Sequence, residues 1–401
     1  MILSSLFPKE GIMNSVVFPD ISPVAAQLEE STIRAIANFG MTQPDVIPLW
    51  FGESDISTPE FIRQAAIDSL NQGQTMYTPN NGIPQLRQSL AKYQGNLFNR
   101  TFDDDNMMVT VSGTNAVMLA AQTILKPGDK VVVITPAFPT LMAIPRLLGA
   151  EVIEFPLTQR DGRFELDMDA FFSVLKGARA LVINSPANPT GWMATDAQVK
   201  AIIDFSRQTG LWVISDEVYN RHVYEGNAAP SFCQYLDETD HVIVCNSFSK
   251  AWCMTGWRLG WLTLPKIIRP TITKLIEFNV SCAPAFVQAA GVAAIEQGET
   301  FLQQTVERFR HSRAMVQAAL GNLPSVTLYE MPATFYAFLK IEGLPDNSQP
   351  FILDMIREAK VGVAPGEAFG AAGRGHLRVC YGANHEKLAI ALERLQTALI
   401  K

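Results

Sequence analysis

A lysine and an arginine stand eight residues apart in Ser247-Phe248-Ser249-Lys250-Ala251-Trp252-Cys253-Met254-Thr255-Gly256-Trp257-Arg258, directly after the apolar run Val242-Ile243-Val244-Cys245. An unprotonated lysine amine attacks carbonyl carbon, and an arginine fork pairs with phosphate oxygens. Among Ser, Thr and Gly, the two suit an aldehyde ligand that also carries a phosphate. The plainer alternative is a solvated surface loop, because short loops often carry both residue types. The rest of the chain decides between them.

From about residue 107, short apolar runs alternate with amphipathic segments. The runs are Met107–Val111, Val131–Ile134, Val152–Phe155, Ala180–Ile183, Leu211–Ile214 and Val242–Val244, with helices such as Ala116–Leu125 and Gln198–Gln208 between them. Runs too continuous for half-exposed strands, separated by helices, predict a largely parallel sheet covered on both faces. In such a sheet ligands bind beyond the carboxyl ends of the strands. Several runs end in polar residues suited to that task. Ser112-Gly113-Thr114-Asn115 opens a helix, where free N–H groups favour an anion, although a plain N-cap explains Ser112 equally well. Phe138, in Thr135-Pro136-Ala137-Phe138-Pro139, could be a flat platform or simply core. Asn188 lies in the stiff turn Asn184-Ser185-Pro186-Ala187-Asn188-Pro189-Thr190-Gly191. Asp216, in Ser215-Asp216-Glu217-Val218-Tyr219, is a carboxylate at a buried strand end and needs a partner.

This α/β core ends near residue 295. Beyond it come a helix at about 300–320, strands at Val326–Tyr329 and Tyr336–Ile341, and a terminal helix His385–Ile400, together a smaller α+β domain. The expected division is 1–57 joining the small domain, 58–295 as the large domain and 296–401 as the small one. A helix over 58–73 is expected to start on Thr58 as N-cap with Pro59 in its first turn.

A chain of 401 residues exceeds what one core sustains. The net charge of −7, with no basic run, argues against a nucleic-acid surface. Five cysteines without a CxxC pair suit reduced, buried thiols in the cytoplasm. The opening Met1–Glu10 lacks the basic region of a signal peptide. No apolar run approaches the ~20 residues of a membrane span. Scattered histidines predict no metal site. The glycines at 370, 373 and 375 are wrongly spaced for a dinucleotide fingerprint.

From about Ile47 onward the chain resembles the class I/II aminotransferases, the aspartate-aminotransferase-like branch of fold type I. The resemblance rests on Gly52-Glu53-Ser54-Asp55 with Thr58-Pro59, Tyr77 before Pro79 and Gly82, Ser112-Gly113-Thr114, Asn188-Pro189-Thr190-Gly191, Asp216-Glu217-Val218-Tyr219, Ser247-Phe248-Ser249-Lys250 and Arg378, in the family's order. It implies a seven-stranded, mostly parallel sheet between helices plus a smaller α+β domain, with pyridoxal 5′-phosphate as cofactor. Carried over by position, Lys250 is the Schiff-base lysine and proton carrier. Asp216 pairs with the pyridine nitrogen, Asn188 and Tyr219 with the phenolic oxygen, and Phe138 stacks on the ring. Ser112, Gly113, Thr114, Ser247 and Arg258 hold the phosphate, joined by Tyr77 of a second subunit in a homodimer. Arg378 grips the substrate α-carboxylate with help from Gly52 and Asn188.

The implied reaction moves an amino group from an amino acid to a 2-oxo acid. A C–S β-lyase, an aminocyclopropane-carboxylate-synthase-like enzyme and a non-catalytic cofactor-binding regulator are alternatives on the same scaffold. Three positions depart from the family pattern: Cys253, Ser54 within Glu53-Ser54-Asp55, and Pro332-Ala333-Thr334-Phe335, which lacks the usual glycine. Thr114 stands where aspartate-specific relatives can carry a lysine. Neutral, apolar or aromatic donors are therefore expected.

Overall fold

The computed structural model describes residues 22–400. The reading of Met1–Glu10 falls outside them. Seven strands form the central sheet: β1 Met107–Thr110, β2 Lys130–Thr135, β3 Glu151–Pro156, β4 Ala180–Asn184, β5 Trp212–Asp216, β6 Val242–Ser247 and β7 Gly260–Thr263. Their order is β1-β7-β6-β5-β4-β2-β3. Neighbours run parallel except at β7, which is antiparallel to both β1 and β6.

The six apolar runs read from the sequence are β1 to β6, and β2 shows why they were legible. Val131 and Val133 pack on one face with helix residues Ala116, Leu119 and Ala120, while Val132 and Ile134 pack on the other with Val199 and Ile202. Both faces are covered, so every position from Val131 to Ile134 is apolar. The covering helices are Gly113–Ile124 and Asp196–Thr209. The strand β7 escaped the pattern because it is short and opens on a glycine. That glycine is required: a Cβ on Gly260 would lie 2.7 Å from the Asn246 carbonyl oxygen and 2.7 Å from the Ser112 carbonyl carbon.

A second sheet holds β8 Val326–Leu328, β9 Tyr336–Ile341, β10 Ala364–Pro365 and β11 His376–Cys380, in the order β8-β9-β11-β10 and wholly antiparallel. Its core joins Leu339, Ile341, Leu377 and Val379 to Val316 and Leu320 of helix Glu299–Leu320 and to Leu388 and Leu392 of helix His385–Ile400. Ile36, Ala37, Leu49 and Trp50 pack into the same core, and Ile47–Pro48 pairs in parallel with Val361–Gly362. The chain is thus an α/β fold with a mainly parallel seven-stranded sheet and a smaller α+β unit.

The helix expected over 58–73 spans Glu60–Asn71, and Thr58 does not cap it. The Thr58 hydroxyl instead donates to the Cys253 carbonyl at 2.7 Å and accepts the Trp257 indole N–H at 2.9 Å. Two long-range bonds outcompete the local cap, and they tie this segment to the loop after Lys250. No helix among the described residues is long and apolar enough to cross a membrane.

Candidate active site

Register brings the polar strand ends together. Asn184 on β4 pairs with Asp216 on β5, and Asp216 with Cys245 on β6, so the three strands finish side by side. They open onto a cavity of about 220 Å3. Every site residue expected from the sequence lines it except Ser112 and Tyr77. Ser112 is buried, and its hydroxyl accepts the Asn115 N–H at 3.2 Å as the N-cap of helix Gly113–Ile124. Tyr77 is 91% exposed and lies away from its own chain's cavity.

Lys250 projects from the one-turn helix Phe248–Ala251, whose N-cap Ser247 accepts the Ser249 N–H at 3.1 Å. The lysine Nζ donates to the Gly52 carbonyl at 2.5 Å and lies 5.8 Å from the Tyr219 ring centroid. Burial lowers its pKa to about 8, because the low-dielectric site penalises the ammonium form. The Asp216 carboxylate is buried and accepts the Val218 N–H at 3.3 Å. Burial raises its pKa to about 7, opposed by that N–H and by the charge of Lys250. It is the one acidic residue lining the cavity among the described residues.

Arg378 on β11 is 1% exposed. It donates through one Nη to Asn188 Oδ1 at 2.9 Å and through the other to the Trp50 carbonyl, and its Nε has no partner. Its guanidinium lies 4.7 Å from the Tyr336 ring centroid and 4.9 Å from that of Phe369. Arg258 takes a left-handed φ of +55° and donates to the Thr255 carbonyl at 2.7 Å. Among the described residues, no carboxylate forms an ion pair within 4.0 Å of Lys250, Arg258 or Arg378. Three basic residues thus line one cavity with Asp216 as the one acidic residue among the described lining, an arrangement that favours anionic groups.

These groups fit a phosphorylated aromatic aldehyde. At one end, Gly113 begins a twelve-residue helix, and a Cβ there would sit 3.0 Å from the Ser247 Cβ and 3.2 Å from Val218 Cγ1. The helix start, Thr114 and Arg258 line one cavity, a donor set that suits a phosphate. Asp216, Lys250 and the partly exposed ring of Phe138 line the same cavity.

Residues 44–395 match the family described as aminotransferase class I and II. The chain belongs to this family. It is 32% identical over 374 residues to an aspartate aminotransferase of Pyrococcus horikoshii, covering 93% of this chain and 95% of the relative. It is 34% identical over 381 residues to aromatic-amino-acid aminotransferase 2 of Thermococcus litoralis, covering 92% and 95%. The solved aspartate aminotransferase of Thermus thermophilus superposes with a TM-score of 0.88 at 28% identity, over 95% of this chain and all of that one. The chain is a pyridoxal-phosphate-dependent aminotransferase, and the β-lyase and regulator alternatives are set aside.

Sequence reasoning missed several cavity residues of this aminotransferase, chiefly Trp50, Asn184 and Tyr336. Asn184 carries the loop: its amide donates to the Asp216 carbonyl at 2.9 Å while its Oδ1 accepts the Asn188 N–H at 2.7 Å. Tyr336 opens β9, directly after the segment that lacks the family's glycine. Within that segment Thr334 takes φ +64° and donates its N–H to the His222 carbonyl at 2.7 Å.

Proposed function

We propose that the enzyme takes the amino group of a neutral, apolar or aromatic amino acid and passes it to a 2-oxo acid, using the residues just described. When bound, pyridoxal phosphate supplies an aldehyde that condenses with amines and a ring that accepts electrons released at the substrate Cα. Lys250 anchors that aldehyde. Once released, its amine, made easier to deprotonate by burial, carries a proton away from the substrate Cα. Asp216 keeps the ring nitrogen protonated, since a buried carboxylate is stabilised as an anion by a facing cation. Asn188 and Tyr219 hold the phenolic oxygen, and Phe138 stacks on the ring. Gly113, Thr114, Ser247 and Arg258 hold the phosphate, with Ser112 bracing the helix start. Arg378, with Gly52 beside it, binds the α-carboxylate.

The observation behind the donor class is the accounting of charge. Lys250, Arg258 and Arg378 are the three cations lining the cavity among the described residues, and the anchor, the phosphate and the α-carboxylate engage all of them. Ile33, Phe51, Val117 and Leu141 supply apolar wall for the donor side chain, and Arg34 is stacked on Phe51 at 4.5 Å. A donor panel with one common 2-oxo acid tests the proposal. Aromatic or aliphatic donors are expected to exceed aspartate in kcat/KM by about tenfold or more, equivalent to about 1.4 kcal/mol of differential binding. A tenfold preference for aspartate overturns it.

The reading also includes a homodimer in which Tyr77 of each chain reaches the other chain's phosphate site. Met76, Tyr77 and Phe278 are 82%, 91% and 90% exposed. They lie on neighbouring segments, because Thr78 N–H donates to Cys282 Sγ and Asn80 to Glu277. Adjoining exposed side chains of this size support a contact surface in the proposed dimer. Sedimentation is expected to give twice the chain mass, and a monomer at working concentration rejects the dimer. We further group residues 58–295 as the cofactor-binding domain and 296–401, joined by 1–57, as the smaller one. A cytoplasmic location accords with the five free thiols.

A further inference from the structure

Tyr336 is fully buried at the start of β9, yet its hydroxyl lies 2.6 Å from the Tyr219 hydroxyl. Tyr219 follows β5 in the other sheet, so this bond joins the two sheets at the cavity wall. The Tyr336 ring is held on one side by the Arg378 guanidinium, and it meets the Tyr219 ring edge-on at 5.6 Å. Its hydroxyl is boxed in by backbone. A Cβ on Gly52 would come 2.0 Å from it, and the carbonyl of the same glycine accepts the Lys250 amine. The groups that face the pair are Arg378, Cys380, Asp216, Lys250 and His222.

Each phenol carries one proton, so a bond between two phenols has a direction. Burial raises both above the ordinary tyrosine range, which keeps both protonated at neutral pH. If Tyr219 gives its proton to a ligand in the cavity, its oxygen must accept the proton of Tyr336. The reverse direction would leave Tyr219 nothing to donate inward.

We propose that Tyr336 is a positioning residue: it donates to the Tyr219 hydroxyl and so commits the Tyr219 proton to the phenolic oxygen of the cofactor. This rests on the reading of Tyr219 given above. A donor that is itself hydrogen-bonded is a stronger donor. Losing the Tyr336 hydroxyl weakens the Tyr219 bond, the phenolic oxygen holds its charge less well, and the bound cofactor keeps its proton to higher pH.

Spectroscopic pH titration of the cofactor's visible band in the loaded enzyme tests this with Tyr219→Phe, Tyr336→Phe and the double variant. Phenylalanine keeps the ring that packs on Arg378, so only the hydroxyl is lost. The titration midpoint is expected to rise in Tyr219→Phe, and by about half a pH unit or more in Tyr336→Phe, the scale of one hydrogen bond. In the Tyr219→Phe background, the second substitution is expected to add nothing. An unmoved midpoint in Tyr336→Phe beside a raised one in Tyr219→Phe overturns the proposal. So do shifts that add in the double variant, because they would mean that Tyr336 acts independently of Tyr219. An unmoved midpoint in Tyr219→Phe refutes instead the placement of Tyr219 on the phenolic oxygen.

Discussion

Lys250→Ala is expected to abolish the visible band of the bound cofactor and to lower turnover by about 10^4-fold or more, because on the proposed assignment one substitution removes both the anchor and the proton carrier. Absorbance of the purified variant and its steady-state rate check this. An unchanged spectrum would place the anchor on another residue. The same lysine carries a pH signature in the wild-type enzyme. Its pKa is lowered to about 8, chiefly by burial, and only the neutral amine attacks an aldehyde. Capture of pyridoxal phosphate by the cofactor-free enzyme should therefore accelerate as pH rises through about 8 and level off above it. A rate still climbing toward the ordinary lysine pKa above 10 would contradict the burial argument.

Arg378→Ala has the second largest expected effect. The side chain is 1% exposed, has no ion pair among the described residues, and faces the cavity between Asn188 and Tyr336. On the proposed assignment, removing it deprives the substrate carboxylate of its charged partner and should cost at least about 2 kcal/mol in kcat/KM, close to 30-fold. Arg378→Lys should recover only part of this, because an ammonium cannot reproduce a fork fixed at Asn188 Oδ1 and the Trp50 carbonyl. Kinetics against donor concentration decide the matter. Unchanged kcat and KM in the alanine variant would remove Arg378 from the substrate site.

The two predictions rest on residues that were legible in the sequence for different reasons. Lys250 stood out through local chemistry, an amine among hydroxyls after an apolar strand. Arg378 had no local signal and was identified only by family resemblance. Its neighbours His376, Leu377 and Val379 are those of an ordinary buried strand. Thr58 and Ser112 show the limit of local reasoning in opposite directions. Ser112 caps its helix as local chemistry expects. Thr58 forgoes its helix because Cys253 and Trp257, remote in sequence, offer its hydroxyl better partners.

The first six apolar runs were readable as strands because strands buried on both faces carry an unbroken apolar signature, whereas their order in the sheet was not. The antiparallel β7 was not, since a four-residue strand opening on glycine has no such signature. Its place between β1 and β6 is set by close backbone approach at Gly260.

By itself, the sequence determined the parallel α/β core, the residue types able to bind a phosphorylated aldehyde, and the ends of the strands that carry them. Composition and periodicity act over a few residues, and those features are local. Only the tertiary structure decided which of these groups meet. It set the alignment of Asn184, Asp216 and Cys245, the desolvation that tunes Lys250 and Asp216, and the contact between the hydroxyls of Tyr219 and Tyr336 across two sheets. Those two tyrosines stand 117 residues apart in the chain, and packing alone places one hydroxyl against the other.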